Sequence, residues 1–118
     1  MDELPERDAA LLLDILLAAR DAQSFVAGLD QNSFLVSRLH QNAVIRSLEV
    51  IGEAASKVSV DVQAAYSQIP WREMVGMRHR LIHAYGEVRL DLVWTVARER
   101  LASLIETLSH LIPRESEL

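Results

Sequence analysis

The chain is 118 residues long, with 12 Lys and Arg against 17 Asp and Glu, so it carries a net charge of −5. Half of its residues are hydrophobic but only 5% are aromatic; 18 Leu and 14 Ala, both strong helix formers, dominate. With 4 Gly and 3 Pro there is little material for the tight turns of a small all-β fold. The absence of cysteine excludes disulfides, thiolate metal sites and thiol catalysis, and the acidity excludes a protein that coats nucleic acid through a broad basic surface.

The first element is predicted from Glu6 to about Gly28, with Pro5 at its N-terminus and Gly28 as a stop. Met1-Asp2-Glu3 is acidic where a secretory signal is basic. The most apolar stretch, Ala9 to Ala19, is too short for a membrane span and contains Asp14. The chain is therefore expected to be cytoplasmic, with no membrane partner. Between Ala9 and Ala19 the helix is apolar around most of its circumference, which predicts burial on more than one side. In so small a chain a second copy is the simplest cover, so a homodimer is expected.

Asp30 or Ser33 is expected to cap the next helix. Val44, Leu48, Ile51, Ala55 and Val58 form its apolar stripe, at steps of three and four. Ser59-Val60-Asp61 reads as a break, followed by a short helix to about Tyr66. Pro70-Trp71 opens another helix, expected to end at Gly86. The last helix starts at Leu90 and stops before Pro113. Its stripe of Trp94, Ala97, Leu101, Leu104, Leu108 and Leu111 suits bundle packing. The fold class predicted is all-α: an up-and-down bundle of four main helices and one short one, in a single domain over residues 1–118 with its core at about 6–112.

Charge is unevenly spread. Residues 1–30 carry seven acids and two bases, whereas residues 31–118 carry ten of each. Eleven of the twelve basic residues are Arg, whose planar fork suits phosphate and carboxylate. The dense reactive cluster runs from Trp71 to Arg89: Arg72, Arg78, His79, Arg80, His83, Tyr85 and Arg89, against Glu73 and Glu87. His79, His83 and Glu87 have the spacing of a metal set, but Gly86 interrupts them and the surrounding arginines disfavour a divalent cation. No metal and no cofactor is therefore expected. Phosphodiester chemistry fits better. His83 can move protons near neutral pH, and Arg78 can stabilise charge on a phosphate. An RNA 2′-hydroxyl would serve as the nucleophile. On an ideal helix, however, Arg78 and His83 do not share a face. Either the helix distorts before Gly86, or the site is a cleft shared between two copies.

Met77-Arg78-His79-Arg80-Leu81-Ile82-His83-Ala84-Tyr85 matches the R-x4-H-x-Y motif of HepT-like proteins in the HEPN superfamily. Ile51-Gly52-Glu53-Ala54-Ala55, Ile69-Pro70-Trp71 with Val75-Gly76-Met77-Arg78, and Asp91-Leu92-Val93-Trp94 resemble further segments of that family, in the same order, over residues 6–112. The resemblance implies a dimerising all-α bundle with the motif in a cleft at the dimer interface. It implies a metal-independent endoribonuclease, the toxin of a type VII toxin–antitoxin pair. Its partner would be a minimal nucleotidyltransferase that silences it by adding AMP to the motif tyrosine. Carried over, Arg78 and His83 are catalytic, Tyr85 is modified, and His79, Arg80 and Arg72 support or bind RNA. The family often has Asn after the motif Arg, where this chain has His79. The alternative is a catalytically inert HEPN module that partners a nucleotidyltransferase and binds nucleotide or RNA. Gly52 is expected to serve close helix packing. Glu53 is expected to have a packing or capping role; the alternative is a buried hydrogen-bonding acid.

Overall fold

The computed structural model describes residues 4–83 and 88–112. Tyr85, Gly86, Glu87 and Pro113 lie outside them, and so do the helix ends expected at Gly86 and Pro113. Among the described residues every regular element is helical.

α1 spans Glu6–Val26, with Pro5 at its N-cap. It stops at Gly28, which adopts φ +81, a region that only glycine enters freely. α1 packs along α3 (Arg38–Lys57) and against the C-terminal helix. Leu12, Ile15, Leu16, Ala19 and Ala22 are wholly or almost wholly buried there. The apolar circumference that suggested a partner subunit is thus largely taken up within the chain, with Leu17 left half exposed.

The segment expected as one long helix after Asp30 is two. Asp30 caps a five-residue helix, α2 (Gln31–Leu35), by accepting from Ser33 N at 2.7 Å. Ser37 then caps α3 by accepting from His40 N at 3.3 Å. The break turns Phe34 inward. Its side chain is fully buried, with its ring 5.4 Å from that of Trp94, and Gln41 Nε2 donates to its carbonyl. The burial of one large aromatic outweighs an uninterrupted helical ladder.

α4 (Val60–Ala65) follows Ser59, as expected. Asp8 of α1, 3% exposed, fixes this junction: its carboxylate accepts from Ser59 N at 2.9 Å and from Ser59 Oγ at 2.8 Å. α5 (Trp71–His83) lies along α3. The C-terminal helix is expected to be uninterrupted, but it contains a π turn, Val96–Arg100, between α6 (Leu90–Thr95) and α7 (Leu101–Leu111). Its backbone stays right-handed helical through both junctions. The wider turn lets Val93, Ala97 and Leu101, four residues apart, all face the core.

Candidate active site

α5 begins where Pro70 O accepts the first intrahelical bond, from Met74 N at 3.1 Å. Trp71 anchors it by donating its indole N–H to Tyr66 O at 3.1 Å. Of its 13 residues only Met74 is buried. The helix packs along α3 on one face, with Trp71, Val75, Met77 and Leu81 half-buried against the core, and its charged side chains leave it in three directions.

The first direction is toward α3. At Gly52 the two helices approach so closely that an added Cβ would collide with Arg78 Cβ and lie 2.7 Å from Met74 O. Glycine is there for close packing, as expected, and it fixes the position of Arg78. Glu53, next in the chain, then meets the guanidinium: Arg78 Nη2 donates to Glu53 Oε1 at 3.2 Å. Lys57 Nζ reaches the other oxygen at 3.3 Å. Lys57, by hydrogen bond and charge, and then Arg78 hold the Glu53 carboxyl below the usual carboxylate range. Glu53 is not the buried acid offered as the alternative, since about half of its side chain is exposed, and in place of the packing or capping role expected of it the side chain forms ion pairs. It is a charged partner for the candidate catalytic arginine.

The second direction is outward, away from α3. Residues 72, 76, 79 and 83 fall on one stripe of an α-helix. Arg72, Gly76 and His79 line an open groove of about 920 Å³ with Trp71, Ser67 and Gln68. The rings of His79 and His83 stand beside each other, their centroids 4.4 Å apart. A Cβ added to Gly76 would meet nothing within 4 Å, so packing within this chain does not require glycine there.

The third direction is toward the C-terminal helix. Arg80 of α5 and Arg100 of the π turn line a cleft of about 490 Å³ over Met77, Leu81 and Val96. Arg89 at its edge is bound to Asp91, at 2.6 Å and 3.3 Å. That pairing raises the Arg89 pKa and lowers that of Asp91.

Of the residues predicted from sequence, Arg72, His79 and His83 share one side of α5, Arg78 is held on another and Arg80 on a third. α5 stays regular through His83, so no distortion within the described residues brings Arg78 and His83 onto one face. Tyr85, and the Glu87 of the disfavoured metal set, lie outside the described residues. Among the described residues no three His, Asp or Glu side chains gather as a metal would need. Sequence reasoning missed the Glu53–Arg78 pair, although Gly52 beside Glu53 signalled a close helix crossing. It also missed Arg100, which reads in sequence as part of a solvated Arg-Glu-Arg run.

Comparison with known proteins is specific. Residues 15–111 match the family described as ribonuclease HepT-like. One relative from Methanocaldococcus jannaschii, named a putative RNase, is 39% identical over 97 residues, or 81% of this chain and 89% of its own. A second protein of that name from the same organism is 37% identical over 110 residues, covering 92% of this chain and 95% of its own. A relative from Thermococcus cleftensis, named a probable ribonuclease HepT, is 40% identical over 93 residues, covering 79% and 84%. No solved structure gives a significant match.

Proposed function

The chain belongs to the HepT-like ribonuclease family, and from that premise we propose that it is a metal-independent endoribonuclease whose active site is completed by a second copy. The observation that carries this reading is the regularity of α5, which directs Arg78 and His83 to different sides of one subunit. In a two-fold cleft the same patch faces itself, so one RNA strand meets an Arg78 and a His83 from each copy. One His83 takes the proton of the 2′-hydroxyl, whose oxygen attacks the adjacent phosphorus. The bond to the 5′-oxygen breaks, and the other His83 gives that oxygen a proton. The products are a 2′,3′-cyclic phosphate and a free 5′-hydroxyl. Arg78 is a fixed fork for the charge gathering on the phosphate oxygens. Arg72, His79 and Arg80 hold the strand beside the reacting centre.

The biological setting we propose is a type VII toxin–antitoxin pair in the cytoplasm. The partner is a minimal nucleotidyltransferase that silences the toxin by adding AMP to Tyr85. This reading is supported by the motif spacing and by family membership. Among the described residues no helix is long and apolar enough to cross a membrane.

Purified chain is expected to cut RNA in EDTA, and His83→Ala and Arg78→Ala are each expected to abolish cutting. Undiminished cleavage by His83→Ala would remove the catalytic assignment; loss in EDTA restored by zinc would replace it with metal chemistry. Wild-type chain that binds RNA without cutting it would leave the inert binding module. Mass spectrometry after co-expression with the neighbouring nucleotidyltransferase is expected to find AMP on Tyr85.

A further inference from the structure

The cleft between α5 and the π turn is not needed for the chemistry described above, yet it is built to hold an anion beside an apolar surface. Arg80 of α5 and Arg100 of the π turn both line it, together with the apolar Met77, Leu81 and Val96. Arg89 at the rim is spent on Asp91. Among the described residues no carboxylate lines the cleft and no ion pair takes up Arg80 or Arg100, although Glu73 lines the adjoining cavity that both arginines also border. This is a local excess of positive charge in a protein of net charge −5. A volume of about 490 Å³ suits a unit of nucleotide size. Two guanidinium forks over an apolar floor match the two halves of such a unit, a phosphate and the flat face of a base or sugar.

We propose that this cleft is an RNA subsite, in which Arg80 and Arg100 clamp a phosphate that flanks the scissile one while the attached nucleoside lies on Met77, Leu81 and Val96. The ligand class rests on the ribonuclease reading, and so does the direction of the strand: Arg80 and His83 are three residues apart, so their side chains neighbour each other along α5. A strand whose scissile phosphate is at His83 has its next unit at the mouth of the cleft. The π turn places Arg100 there, and π turns are frequent at functional sites.

The test measures binding and does not depend on cleavage. A fluorescent single-stranded oligoribonucleotide is titrated with full-length His83→Ala chain at several salt concentrations. Adding Arg100→Gln, or Arg80→Gln, is expected to weaken binding about tenfold at low salt, the scale of one charged hydrogen bond. It is also expected to lower the slope of log K against log salt by about 0.7, the loss of one phosphate contact on a single strand. Arg100→Lys is expected to keep that slope. An unchanged slope in Arg100→Gln overturns the proposal, whether or not affinity falls. So does dissociation of a dimer by Arg100→Gln with RNA contacts intact, which makes the cleft a subunit surface. If wild-type chain fails to cut RNA while the slope still depends on Arg100, the ribonuclease reading falls and the RNA subsite stands. If wild-type chain cuts RNA and Arg100→Gln changes neither KM nor slope, the subsite falls and the ribonuclease reading stands.

Discussion

α1 and α5 both lie along α3, but they are held very differently. α1 buries eight of its 21 residues, and α5 buries one of 13. α1 is fixed by apolar area spread over about four turns, together with a buried carboxylate that grips Ser59. α5 is fixed along one face, by Met74, by the half-buried Trp71, Val75, Met77 and Leu81, by a tryptophan hydrogen bond and by the close crossing at Gly52. The contrast separates stability from chemistry. A helix buried on most sides cannot present charged groups to a substrate, whereas one packed along a single face leaves its arginines and histidines accessible. The cost is that the reactive helix buries little of its own surface.

Substitutions can test that separation, beginning with the largest effects. His83→Ala is expected to reduce kcat for RNA cleavage by at least about 100-fold, the scale of a lost general acid or base. Its thermal midpoint should stay near that of wild type, because His83 is exposed. Phe34→Ala should do the reverse, destabilising the fold by about 3–5 kcal/mol in a denaturant titration. A large drop in stability from His83→Ala would mean that α5 carries more of the fold than its burial shows. Gly52→Ala is expected to affect both properties. It should lower stability by about 1–3 kcal/mol through overpacking and reduce cleavage by displacing Arg78. Wild-type stability and rate in that variant would show that the crossing is compliant.

The smallest effect concerns Glu53. Its folded pKa lies below its unfolded value, so its contribution to stability is present above the carboxylate range. That contribution is lost as pH falls through the lowered folded value. Since the pair is exposed, the contribution is small. Comparing thermal midpoints at neutral pH and below about pH 4 should give a shallower acid-side decline for Glu53→Gln than for wild type. Parallel declines would show that the pairs with Arg78 and Lys57 add nothing to the fold.

What was legible in the sequence was local. Gly28 as a helix stop, the break at Ser59 and the leucine stripe of the last helix all depend on neighbours a few residues away. The break at Ser37 was not legible, because its cause is Phe34 reaching Trp94, 60 residues on. The Glu53–Arg78 pair joins residues 25 apart in sequence and exists only because Gly52 lets two helices touch. The motif itself stood out by spacing, but spacing could not tell which neighbour each side chain would face. Arg100 went unnoticed because a run of Arg-Glu-Arg is the usual dress of a solvated helix face, and only the π turn gives it a position.

That turn also makes residue number, apart from residue identity, a structural quantity. A π turn holds one residue more than the α pitch requires. Deleting a single codon within 96–100 is expected to restore the α pitch with Leu90–Thr95 and Leu101–Leu111 in their present register, whereas inserting one would swing the two segments by about 100° against each other. An insertion would turn Val93 and Trp94 out of the core and cost Phe34 its ring partner; a deletion would leave both in place. Substituting the exposed Glu99 leaves that count intact and is expected to be tolerated. The stretch is therefore permissive to spelling changes and more tolerant of a one-codon loss than of a one-codon gain, a distinction that a scan of in-frame deletions and insertions would expose directly.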